Sequence, residues 1–221
     1  MKHNSIHILP NMDITHLNKL LLDEEGLLKV LPYNELNAIP RLELMLWAHK
    51  NAVYQFPTAE LIEFLKIEIG DRSAIEICAG HGAIGKAIGI PSTDSYMQEL
   101  PEVQAFYALS GSPTTKPPAH VQRFEASEAV EFYKPQVVIG AYVTQLFQIG
   151  DTEKRIGSNM YGVNEVGIIN ATETYIMIGN LLSHGDKRAF KIPHKELKLP
   201  FLINRSKQQT LNRIWIWNQK L

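Results

Sequence analysis

Glu76, Gly80, Gly82, Gly85 and Asp94 are the residues whose types and spacing could do chemistry together. The glycines follow the pattern Gly-x-Gly-x-x-Gly, Glu76 stands four residues before the first, and Asp94 follows Glu76 by 18. Glycines in such a turn let backbone approach a ligand that any Cβ would hold off, and a helix starting there presents unpaired N–H groups. By itself the pattern is weak, because the same turn serves plain strand-to-helix packing. The acids sharpen it. A carboxylate beside the turn repels a pyrophosphate and attracts an ammonium or sulfonium group. A second acid at the end of the next strand is placed for ribose hydroxyls. The pattern therefore suits a cationic nucleoside better than NAD.

These residues need particular elements to position them. Ala74, Ile75, Ile77 and Cys78 surround Glu76 with an apolar run that reads as a buried parallel strand turning sharply into a helix. Asp94 closes a second strand, although 86–93 is short and interrupted by Pro91. A third strand is expected over 121–126, with Ser127 able to cap a short helix through Tyr133. Val137, Val138 and Ile139 form a continuous apolar run, as in a central strand covered on both faces. Its carboxyl end, 140–145, opens onto the same crevice as Gly80 and Asp94. Asn164 caps a helix over 165–172, a fifth strand covers 175–180, and late strands are expected over 188–193, 197–203 and 213–217. Ahead of the glycine strand the spacing is helical: 12–31, divided by Gly26 into two short helices; 36–54, broken at Pro40; and a third helix from the cap Thr58 to Gly70. Residues 110–120 read as an exposed, mobile loop in which Lys116 or His120 could touch substrate, and 147–163 as a long loop over the crevice.

Glu76-Ile-Cys-Ala-Gly80-His-Gly82, preceded by apolar residues and followed by Asp94, resembles the first two motifs of the class I S-adenosylmethionine-dependent methyltransferases, with Cys78 where glycine is commoner. The resemblance implies an α/β, three-layer Rossmann-like methyltransferase fold. It has a mostly parallel sheet, a late antiparallel strand and a helical N-terminal extension. Two units follow, a helical extension or cap over 1–70 and a cofactor-binding domain over 71–221. The implied cofactor is S-adenosyl-L-methionine. Glu76, Ala79, Gly80 and Gly82 would hold its methionine end, Asp94 the ribose, and Glu125 with Ala126 the adenine. Thr58, in a Tyr54-to-Thr58 segment similar to a cofactor-contacting one, and Tyr142 would add contacts; Thr58 as an ordinary cap, Glu125 as a solvated acid and Tyr142 as a structural aromatic stay open. Gly140-Ala141-Tyr142-Val143 stands where base-amino methylases carry Asn- or Asp-Pro-Pro-aromatic, which counts against that chemistry. Candidates for the acceptor side are Tyr142, Asn180 and His184, the last as a general base. If the acceptor is already nucleophilic, holding donor and acceptor in line suffices.

A net charge of -1 gives no electrostatic reason for nonspecific binding to nucleic acid or membrane. A single cysteine excludes intramolecular disulfides and multi-cysteine zinc sites. With no apolar signal core at the start and no membrane-length apolar run, a cytoplasmic protein is expected. The acceptor, small or macromolecular, and homo-oligomerisation are left open. Two rival functions share the glycine turn: a noncatalytic nucleoside-binding or scaffold protein, and an NAD-dependent oxidoreductase, which would not want Glu76 beside its pyrophosphate.

Overall fold

The computed structural model describes residues 12–109, 111–148 and 158–218. The run around Glu76 forms β1 (Ala74–Ile77), followed by β2 (Ser92–Asp94), β3 (Val121–Arg123) and β4 (Val137–Ala141). Then come β5 (Gln145–Leu146) and β6 (Ser158–Asn159), a two-stranded parallel ribbon, and the long β7 (Thr174–Asn180), β8 (His194–Leu197) and β9 (Asn212–Trp217). Among the described residues the main sheet runs β3-β2-β1-β4-β7-β9-β8, parallel from β3 through β7, with β9 antiparallel to both its neighbours. That order and direction, mostly parallel with a late antiparallel pair, is the expected Rossmann-like sheet. The register sets Ile77 beside Gly140 and Ala141 beside Ile178, so the turns leaving β1 and β4 emerge side by side.

The helices are α1 (Asn18–Leu21), α2 (Tyr33–Ala38), α3 (Arg41–Lys50), α4 (Ala59–Ile69), α5 (Ala83–Ile88), α6 (Pro101–Leu109), α7 (Ala126–Tyr133), α8 (Glu165–Ala171) and α9 (Leu181–His184). Strand alternation feeds two cores. Ile75, Ile77, Val138, Met177, Trp215 and Trp217 pack under α7 and α8 through Ala129 and Ile169. Ala74, Val137, Ile139, Ile176 and Ile216 pack under α4 and α5 through Leu61, Leu65 and Ile84. This is the three-layer arrangement that a sheet apolar on both faces requires. A third core joins Leu17, Leu36, Leu44, Trp47 and Phe56 to Ile203, pinning the early helices to the segment that leads into β9.

Several sequence expectations change. Residues 188–191 form a 3-10 turn and 198–203 form no strand; the late strand lies between Pro193 and Pro200, which lack the N–H a ladder needs. After Gly26 no helix forms, and Leu22 bridges Leu28 in a small hairpin instead. Glu125, not Ser127, is the N-cap of α7. The 110–120 segment is not simply exposed: Thr115 is buried, its N–H donating to Gln98 Oε1 at 2.6 Å. Of the expected 147–163 loop, 149–157 lie outside the described residues.

Candidate functional site

The turn after β1 is built from left-handed backbone, with φ of 51° at Cys78, 53° at Gly80 and 63° at Gly82. Its glycines do different jobs. A Cβ on Gly82 would meet Val121 and His120 at 2.5 and 2.7 Å, so Gly82 faces β3 rather than open space. A Cβ on Gly85 would stand 2.1 Å from Ser92 Oγ and 2.8 Å from Glu76 Oε2. Gly80 alone of the three meets no clash, only the Thr115 methyl at 3.4 Å. The Gly80 N–H donates to Asp94 Oδ2 at 2.9 Å, and the Tyr96 N–H to Asp94 Oδ1 at 2.8 Å. Glu76 is turned into the fold: its Oε2 accepts the Gly85 N–H at 2.8 Å and the Ser92 hydroxyl at 2.9 Å. Burial pushes its carboxyl up to about 7 against the pull of those two bonds. Half its charge is therefore gone near neutral pH, and Asp94 is the acid with standing access to the crevice. Burial raises Asp94 as well, opposed by the Gly80 and Tyr96 N–H groups.

Two small cavities flank this turn. The first, about 110 Å³, is walled by Asp94, Met97 and the rings of Tyr96, Tyr107, Tyr142 and Tyr161. The second, about 70 Å³, touches Glu76, Ala79, His81 and Gln55. Cys78, Gly80, Tyr54, Thr115 and Ala141 line both. An acid among aromatic faces in partly desolvated space favours a cation. Pockets for cofactor-sized molecules run from about 300 Å³ upward, so each hollow as it stands is too small, and Thr115 is part of the wall between them.

Tyr142 sits at the tip of β4 with φ of 57°, its N–H donating to the Ile178 carbonyl at 2.8 Å. Its ring lies 5.8 Å from Tyr54 and 5.1 Å, edge-on, from His184. Its hydroxyl is shut from solvent without a partner, and burial raises its pKa, so it is a neutral phenol. His184 and Asn180 form the wall behind it. His184 is 4% exposed, lines neither cavity, and accepts the Asn180 N–H on Nδ1 at 3.1 Å. Burial pushes its pKa down to about 3, which leaves too weak a base for general-base work near neutral pH. The Asn180 amide donates to Gln208 and Asn212 and caps α9. Thr58 also lies off the cavities: it caps α4 through Leu61 and donates to the Phe201 carbonyl at 3.0 Å. Glu125 is exposed beside a separate cavity of about 290 Å³, which it lines with Ala126; that cavity shares Val163 with the tyrosine-walled one.

Sequence reasoning missed several residues. Tyr107, Thr115 and Tyr161 come to the cavity from a helix and two loops distant in sequence. Fully buried Lys187 donates to Glu165 Oε2 and to the Val143 carbonyl, both at 2.6 Å, while Tyr175 donates to Glu165 Oε1 at 2.8 Å. This pair fixes the chain just past Tyr142. Nothing in a loop lysine and a helix-start glutamate 22 residues apart announces it. Among the described residues no cluster suited to a metal occurs and no helix is long and apolar enough to cross a membrane.

No family model and no curated protein matches the chain. Among solved structures it is similar to SMU.776, described as a methyltransferase complexed with SAH: 8% identity, TM-score 0.35, 68% of this chain and 47% of that one. A protein from Streptococcus mutans, described as a SAM-dependent methyltransferase, gives 8%, 0.34, 68% and 46%. Thermoplasma acidophilum 1320 gives 13%, 0.36, 74% and 91%. The chain thus spans about half the length of the first two. At such scores the function rests on the site's own chemistry.

Proposed function

We propose that this protein is a methyltransferase using S-adenosylmethionine, with the N-terminal extension, residues 1–70, as a cap over a cofactor domain of 71–221. The observation that carries it is the junction of Asp94 with the bare backbone of Gly80 at the edge of a tyrosine-walled cavity, where the β1, β2 and β4 turns meet. The residues present fit the group. Asp94 is a ribose acceptor, and Gly80, with only a methyl opposite, leaves room for close approach. Tyr142 offers its ring to a sulfonium, and the neighbouring hollow at Glu125 and Ala126 takes the adenine. Occupancy requires the Thr115 segment to yield, joining the hollows. The bound cofactor supplies an electrophilic methyl group.

The chain's own part is positional. Cys78, Ala79 and Gly80 hold the donor end, Tyr142 orients the acceptor by donating its free hydroxyl, and the 111–118 segment closes over both and excludes water. With His184 neutral and turned inward, the expected base takes no proton, which suits an acceptor that is already nucleophilic. The same fact favours, as a second reading, a noncatalytic nucleoside-binding scaffold. An NAD enzyme is disfavoured because the Gly80 N–H that a pyrophosphate needs is held by Asp94.

Calorimetric titration separates the three. Micromolar affinity for S-adenosylmethionine or S-adenosylhomocysteine, reduced at least tenfold in Asp94→Ala, is expected, a loss of ~1.4 kcal/mol or more. Preference for NAD overturns the proposal, and binding without methyl transfer to any acceptor leaves the scaffold.

A further inference from the structure

Among the described residues, the buried side-chain polar atoms without a partner are Arg41 Nε, Gln55 Oε1, Tyr142 Oη and Asn204 Nδ2. They come from four separate stretches of chain and share one neighbourhood. Gln55 pairs with Asn204 in an isolated bridge. Arg41 Nη2 donates to the Asn204 carbonyl at 2.6 Å and to that of Ser206. The Arg205 N–H donates to the Tyr54 carbonyl at 3.2 Å, and its guanidinium lies 3.5 Å over the Tyr54 ring. Tyr54 in turn lies 5.8 Å from Tyr142 and shares the cavity wall with it. Orphaned buried groups are rare, and a neighbourhood that gathers four of them has polar atoms free to meet a ligand.

The chemistry of the set is lopsided. Three of the four orphans are donors, and two guanidinium groups stand beside them. Neither Arg41 nor Arg205 has a carboxylate partner among the described residues, whereas Arg123, Arg213 and Lys187 each have one. Arg41 is half-buried, and desolvation pushes its pKa down to about 10, so its charge is held at a cost that an anion would offset. Guanidinium groups match carboxylate and phosphate oxygens in geometry and charge. Two guanidinium groups beside the Tyr54 ring, which itself walls the cavity, in a chain of net charge -1, fit one small anionic group better than a polyanion.

Resting on the methyl-transfer proposal, we infer that the acceptor is a small molecule bearing a carboxylate or phosphate. Arg41 and Arg205, with Asn204, bind that anion, and Tyr142 faces the acceptor's nucleophile. The arginines are binding residues on the acceptor side and do not touch the reacting methyl.

The test uses the full chain and two anionic probes, benzoate and phenyl phosphate, with benzyl alcohol as the neutral control. Binding is followed by calorimetry with and without S-adenosylhomocysteine. One anionic probe is expected to bind and benzyl alcohol not to, and which one binds separates carboxylate from phosphate. Arg205→Gln and Arg41→Gln should each weaken it on the order of tenfold or more, with Arg205→Lys intermediate. Thermal unfolding within a few degrees of wild type for at least one variant shows that the loss is not unfolding. Equal probe affinity in all variants overturns the inference. So does failure of both probes, or binding only of a single-stranded oligonucleotide, which would assign the arginines to nucleic acid. If S-adenosylhomocysteine fails to bind while an anionic probe binds through these arginines, the anion site stands and the methyl donor falls.

Discussion

Glu76 Oε2 accepts the Gly85 N–H at 2.8 Å, which ties the end of β1 to the first turn of α5 through a buried carboxylate. Folding raises that carboxyl from 4.5 to about 7, so the folded state holds a proton that the unfolded state has released between those values. Stability from this group is full below about pH 4.5 and declines as pH rises through 7, a cost on the order of 3 kcal/mol above it. Glu76→Gln keeps an oxygen for Gly85 and Ser92 and removes the titration. In urea unfolding at pH 5 and pH 8, the variant is expected to gain on wild type at the higher pH. An unchanged difference between the two pH values would show that Glu76 does not titrate there.

Gly85→Ala is expected to destabilise the protein by about 3 kcal/mol or more, since its Cβ has no room between Ser92 Oγ and Glu76 Oε2. Adding Ser92→Ala removes the nearer clash, 2.1 Å, and should recover part of the loss. Chemical denaturation of the single and double variants measures both. Without rescue, the remaining approach to Glu76 at 2.8 Å rather than the Ser92 hydroxyl is at fault.

Lys187→Met leaves Glu165 buried without its cation and is expected to cost roughly 3–5 kcal/mol, while Lys187→Met with Glu165→Gln should recover much of it. Because Lys187 also holds the Val143 carbonyl, both variants should alter the environment of Tyr142. Tyrosine-selective spectroscopy on the folded double variant reads that change, and an unaltered Tyr142 signal would uncouple the two.

Tyr142→Phe removes a buried hydroxyl with no partner. The variant should be as stable as wild type or gain up to ~1 kcal/mol, yet bind or turn over acceptor more weakly. A fall in stability together with unchanged acceptor handling would make Tyr142 a structural aromatic.

Thr115→Leu enlarges the side chain that stands 3.4 Å from where a Gly80 Cβ would be. S-adenosylhomocysteine affinity is expected to drop on the order of tenfold, and hydrogen exchange over 111–118 should change when wild type binds. Full affinity in the leucine variant would place the cofactor elsewhere.

The sheet was legible because its strands are simple: 137–139 is an unbroken apolar run, and the Glu76-to-Gly82 motif marks a strand end locally. What failed was legible in neither period nor motif. At 188–203 two prolines chop the apolar positions into pieces too short to fix a register, so the strand between them went unread. His184 has the residue type of a base, but its ring direction is set by α9 turning back on Asn180, a tertiary fact. Arg41 and Arg205 are 164 positions apart, and Arg41 reaches the carbonyls on either side of Arg205 because Ile203 is packed among the early helices.

β9 lies between β7 and β8 and carries the buried Trp215, Ile216 and Trp217. A nascent chain that has emerged only as far as β8 therefore has β7 paired on its β4 side alone and β8 with no partner. It presents the apolar edge of β7 to the cell, a template for pairing with other chains. Arg205 and its loop arrive just ahead of β9, so the placing of Arg205 over Tyr54 and the covering of the β7 edge should mature together.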